Sequence, residues 1–82
     1  MRQIWLTAIG KDRPGIVAAV SRALADQGVN ITDLQTRLAG EVYVMFLEIV
    51  IPPGTDIGEA MDAVGREQGV DVSLREIERD AL

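Results

Sequence analysis

Apolar positions follow two alternating rhythms along the chain. Residues 4–9 and 42–51 are strand-like and apolar, whereas Ile16, Val20, Ala23 and Ile57, Met61, Val64 recur at helical spacing. The halves repeat: Gln27-Gly28-Val29-Asn30-Ile31 reads like Gln68-Gly69-Val70-Asp71-Val72, an offset of 41 in 82 residues. At that offset the two helical triplets align, and the run Ile4 to Ile9 aligns with Met45 to Val50. Each half therefore reads strand, helix, Gly-terminated turn, strand.

The pattern predicts strands over residues 2–9, 30–38, 41–51 and 71–77 and helices over 14–27 and 57–68. Gly28 and Gly69 stand where a left-handed C-terminal cap is needed. Asp56 with Glu59 reads as an N-terminal capping pair. Ala39-Gly40 closes a hairpin, and Pro52-Pro53-Gly54 ends the third strand. This order predicts an α+β fold of ferredoxin-like βαββαβ type, a four-stranded antiparallel sheet, with residues 1–82 forming one domain. Right-handed crossovers put both helices on one face of the sheet.

The other face is then bare, yet the third strand is apolar on both sides: Val42, Val44 and Phe46 on one, Tyr43, Met45, Leu47 and Ile49 on the other. The first strand sets Ile4, Leu6 and Ala8 against Trp5 and Ile9. A bare apolar face on a small domain is an interface unless the chain's own tail covers it, so the expectation is a homodimer or higher homo-oligomer.

Composition removes several functions. With no Cys and no His, disulfide frameworks, Cys/His metal sites, thiolate nucleophiles and histidine acid–base chemistry are excluded. No metal or cofactor is expected. No carboxylate pair is placed for acid–base work, so the chain is not expected to be an enzyme. A net charge of −5 argues against nucleic-acid binding. The longest apolar run, residues 42–47, is too short for a membrane span, and no signal peptide is visible, so the expected location is the cytoplasm. Glu76, Glu78 and Asp80 mixed with Arg75 and Arg79 read as a solvated terminus.

Duplicated halves share what the fold needs, so function is sought where they differ. The first helix is approached through Gly10-Lys11-Asp12-Arg13-Pro14-Gly15-Ile16-Val17, the second through Ile51-Pro52-Pro53-Gly54-Thr55-Asp56-Ile57-Gly58. Pro suits a first helical turn, and Gly15 removes bulk above its free N–H groups, which a ligand carboxylate can approach. The same residues also read as an ordinary helix start with Asp12 or Arg13 as its cap. Arg13 could read a carboxylate or pair with Asp12. Asn30 is a second candidate, with a turn-forming role as its plainer alternative.

Asp12-Arg13-Pro14-Gly15-Ile16-Val17, followed by Leu24-Ala25-Asp26-Gln27-Gly28-Val29-Asn30-Ile31, resembles the ACT domain over essentially the whole chain. It looks most like single-domain and tandem ACT proteins related to the glycine cleavage system transcriptional repressor. It is also similar to the ACT part of formyltetrahydrofolate deformylase and the serine-binding domain of phosphoglycerate dehydrogenase. The resemblance implies a regulatory module that binds an amino acid such as glycine or serine and acts on an enzyme or regulator in trans. It also implies a ligand site at Asp12, Arg13, Pro14, Gly15, Ile16, Val17, Asn30 and Ile31. Two positions depart from the serine-binding type, which has Asn in place of Asp12 and His in place of Gly10. An ionised Asp12 accepts from an ammonium group but repels a carboxylate.

Asp12 and Asn30 flank the first helix, and fourteen helical residues span about 21 Å. A small amino acid touching both must take them from different subunits. The alternative is a ligand-free module of the same fold that only associates with itself or another protein.

Overall fold

The computed structural model describes residues 2–77. The elements are β1 (Arg2–Lys11), α1 (Ile16–Asp26), β2 (Asn30–Ala39), β3 (Val42–Ile51), α2 (Gly58–Gln68) and β4 (Val70–Glu76). They form the βαββαβ order read from the sequence, with one antiparallel sheet ordered β2-β3-β1-β4.

Alternation along the central strands decides what is inside. Ile4, Leu6 and Ala8 of β1 and Met45, Leu47, Ile49 and Ile51 of β3 are buried. They meet Ile16, Val20 and Leu24 of α1 and Met61 and Val64 of α2, with Ile57 just before it. Ile16 and Val20 thus do the same work as Ile57 and Met61, whereas Ala23, aligned with the buried Val64, is only partly buried and Leu24 fills that place. Each such aliphatic side chain contributes about 1.5–3 kcal/mol on burial. The turns repeat as well: Gly28 and Gly69 both hold positive φ, 74° and 67°.

Several local details differ from expectation; β1 runs to Lys11, two residues past its expected end, so Gly10 and Lys11 belong to the strand. α1 starts two residues later than predicted: Pro14 lies in a turn, and Gly15 is the N-cap at φ 91° with no side-chain cap bond, so neither Asp12 nor Arg13 caps the helix. A left-handed residue cannot continue a helix, so the first turn begins only at Ile16. α2 begins at Gly58, whose N–H donates to Asp56 Oδ1 at 2.9 Å. The N-cap is Ile57, with no side-chain cap bond, so Asp56 and Glu59 do not form the expected capping pair; the Asp56 bond closes a turn that leads into the helix. β2 also runs one residue past its expected end, and the hairpin to β3 turns at Gly40-Glu41.

The helices leave two apolar regions uncovered. On the helix-free face Trp5, Val44 and Phe46 are half-buried and Ile9 is exposed. On the helix side, α1 does not reach over the edge strand β2. Leu34 and Leu38, paired with Leu47 and Tyr43 of β3, stay 40% and 56% exposed. Of the charged terminus, Arg75 and Glu76 lie at the end of β4, where Glu76 meets Arg2 at 3.5 Å; residues 78–82 fall outside the described residues.

Candidate functional site

The stretch between β1 and α1 is tied at both ends. The Asp12 N–H donates to the Glu41 carbonyl at 2.9 Å, which fastens the loop to the β2–β3 hairpin. Arg13 Nη1 donates to the Glu67 carbonyl at 3.3 Å. That carbonyl lies in the last turn of α2, the negative end of its dipole, where a guanidinium is favoured. Arg13 therefore ties the loop to α2 instead of pairing with Asp12, and its remaining N–H groups stay on the cleft that it lines.

Beyond this brace the chain opens. A Cβ on Gly15 would meet nothing within 4 Å, so only its φ of 91° demands glycine. A cleft of about 430 Å³ adjoins it, lined by Arg13, Gly15, Ile16, Val17, Ala18 and Tyr43. The first-turn N–H groups of α1 are left without partners from a capping side chain, and the dipole favours an anion there. Ile16 is buried beneath as an anchor, while Val17 is exposed at the wall. Asp12 is exposed on the loop, able to receive an ammonium group.

Asn30 sits elsewhere. It is exposed at the first position of β2 and pairs with Val50, a residue of the helix-free side, while Ile31 pairs with Ile49 and packs against the core. An irregularity at Thr32 follows, where its Oγ1 donates to the Glu48 carbonyl at 3.1 Å. Asp12 is held at Glu41 and Asn30 at Val50, the two ends of β3. At about 3.4 Å per residue these lie roughly 30 Å apart. Within one chain the structure brings together the loop residues Asp12 to Val17 and leaves Asn30 and Ile31 at the far end.

Sequence reasoning missed Tyr43 as a wall of this cleft and Glu41 as the loop's anchor. Tyr43 reads as one more alternating strand residue; its position opposite Leu38 on the open side of α1 emerges only from the register. A larger groove of about 730 Å³ runs between the helices over Ala18, Ala19, Ala23, Ala60 and Ala63. Short side chains at a helix crossing produce it, and it brings together none of the expected ligand residues.

The model of the ACT domain family matches residues 4–66. A UPF0237 protein of Methanopyrus kandleri is 34% identical over 79 residues, covering 92% of this chain and 88% of that one. An ACT domain protein from Streptococcus pneumoniae superposes with a TM-score of 0.82 at 27% identity, over 92% of this chain and 89% of that one. A glycine cleavage system transcriptional repressor-like protein reaches a TM-score of 0.86 over 94% of this chain and 46% of that one. Its 23% identity makes that likeness one of fold alone.

Proposed function

This chain belongs to the ACT domain family of regulatory modules, and on that premise we propose that it senses a small amino acid at a site shared by two copies of itself. One observation carries this reading. The expected ligand residues stand at opposite ends of the sheet, at either end of an edge strand that no described residue covers.

β2 is one of the sheet's two edge strands, the longer one, and offers a second copy its unpaired outer backbone groups. Antiparallel self-pairing about its middle sets Asn30 of one copy beside Ala39 of the other, the hairpin end that anchors Asp12. The same step covers the exposed Leu34 and Leu38. A two-fold dimer then has two equivalent sites, each joining the Asp12–Val17 loop of one protomer to Asn30 and Ile31 of its partner.

In each site the N-terminus of α1 receives the ligand carboxylate, the Asp12 carboxylate accepts from its ammonium group, and Asn30 supplies both a donor and an acceptor. The cleft of about 430 Å³ is open, and small ligands such as glycine or serine suit it. Because the ligand binds the paired form, it stabilises the dimer, and a bound enzyme or regulator can read that change in trans. In this reading residues 1–82 form one module acting in the cytoplasm. No helix among the described residues is long and apolar enough to cross a membrane.

A thermal-shift screen against the common amino acids tests this. Ligand at 100 times its dissociation constant stabilises by about 2.7 kcal/mol, and each kcal/mol moves a domain of this size by roughly 4–8 °C. A shift with one or two related amino acids supports the sensor. Flat curves at millimolar ligand favour a module that only associates.

A further inference from the structure

We propose that the helix-free face of the sheet docks onto the same face of a second copy, stacking two edge-paired dimers into a closed tetramer. The closure argument rests on the β2 edge pairing above; the face itself stands on separate observations.

The register sorts this face into rows across the four strands. One row holds Asp33, Glu48, Trp5 and Arg75; the next Gln35, Phe46, Thr7 and Ser73; the third Arg37, Val44, Ile9 and Asp71. The centre is apolar at Trp5, Phe46, Val44 and Ile9, with the Trp5 and Phe46 rings 5.9 Å apart, and polar at Thr7 and the half-buried Glu48. The corners alternate in charge: Asp33 and Arg37 on β2, Arg75 and Asp71 on β4. Asp33 Oδ1 and Oδ2 accept from the Leu34 N–H and Gln35 Nε2, which hold that carboxylate in place. All four corner residues are exposed, and none forms an ion pair with another described residue. Four positions along a strand is about 13 Å, too far for the corners of one strand to pair with each other.

Such a layout complements itself. When two copies face each other with strands aligned, every acidic corner meets a basic one. When the strands cross at right angles, like charges meet. Electrostatics therefore selects the aligned packing that twisted sheets already favour. A two-fold axis along the strands would also oppose unlike charges, but with the edge axis it generates an open array. An axis across the strands, through the Gln35-Phe46-Thr7-Ser73 row, meets the edge axis at the middle of β2 and closes at four. It sets Asp33 against Arg37, Asp71 against Arg75, Trp5 against Ile9 and Phe46 against Phe46 of the facing copy, and it sets Glu48 against Val44, one strand away from the facing copy's Arg37.

Area points the same way. Four strands of 10, 10, 10 and 7 residues at about 4.8 Å spacing give one protomer a flat face of about 600 Å². An edge-paired dimer doubles it, which leaves ample room for the roughly 800 Å² per partner of a standard interface.

The test measures mass by light scattering at low ionic strength, where charges are least screened. R75D makes both β4 corners acidic and D71R makes both basic, and neither touches the β2 corners, where Asp33 and Arg37 of the edge-paired copies already lie side by side. The expected results are four chains for the wild type, half that mass for each variant alone, and four again on mixing the two. Trp5 is the only tryptophan, so its emission should shift to the blue as the wild type assembles and again on mixing. A wild-type dimer whose variants become monomers supports the face and removes the edge pairing. Variants that keep the wild-type mass, or a mixture that does not regain it, overturn the proposal.

Discussion

Two glycines in the approach to α1 are required for different physical reasons. A Cβ on Gly10 would lie 2.6 Å from the Gly69 carbonyl oxygen and 2.8 Å from Val70 Cγ1. The strand crosses the α2–β4 turn too closely for any side chain, so the His of the serine-binding type has no room there. Gly10→Ala should therefore cost about 1–3 kcal/mol through overpacking, seen as a lower midpoint in thermal unfolding. Gly15 has open space around it but a φ of 91°. Gly15→Ala should cost about 1–2 kcal/mol through backbone strain alone. A Gly15→Ala protein as stable as the wild type would mean that this N-cap is not left-handed. The sequence marks both positions as glycine but does not separate these causes. One depends on a turn nearly sixty residues away, the other on a dihedral that Pro14-Gly15 permits without requiring.

At the scale of elements, the repeat made the fold legible. Ile16, Val20, Ile57 and Met61 are all buried as their spacing predicts, and Gly28 and Gly69 both turn left-handed. What the repeat could not show is how far α1 reaches sideways. β2 alternates weakly, and whether Leu34 and Leu38 lie under a helix depends on packing rather than on period. The loop's ties to Glu41 and Glu67 are likewise contacts between distant segments, invisible to local pattern. The exposed ledge gives a prediction. L34K/L38K should leave the monomer folded, since both positions are already 40% and 56% open, yet charge the strand that self-pairs. Sedimentation should show half the wild-type mass with unchanged far-ultraviolet circular dichroism. An unchanged mass would place the β2 edge outside any interface.

For the whole molecule, regulation follows from division of the site. In the proposed reading, a chain that keeps Asp12 and Asn30 roughly 30 Å apart cannot close on a small ligand by itself, so ligand would strengthen subunit contact and subunit contact would complete the site. The sequence foretold a separation of about 21 Å from a fourteen-residue helix; α1 has 11 residues, and it is β3 between Glu41 and Val50 that sets the larger distance. Which amino acid the proposed site takes was not legible, because in that reading its walls come from two chains and Asp12 departs from the serine-binding pattern.

The most direct measurement mixes two damaged proteins. Asp12→Ala and Asn30→Ala should each fold and each lose binding of the amino acid found in the screen, since every site in either homodimer lacks one partner. A mixed dimer carries one doubly damaged site and one intact site. Calorimetric titration of the equilibrated mixture should therefore recover wild-type affinity at about one quarter of the wild-type number of sites, if the chains pair at random. Continued loss of binding in a mixture shown to contain mixed dimers, or full binding by Asn30→Ala alone, would contradict a site shared between subunits.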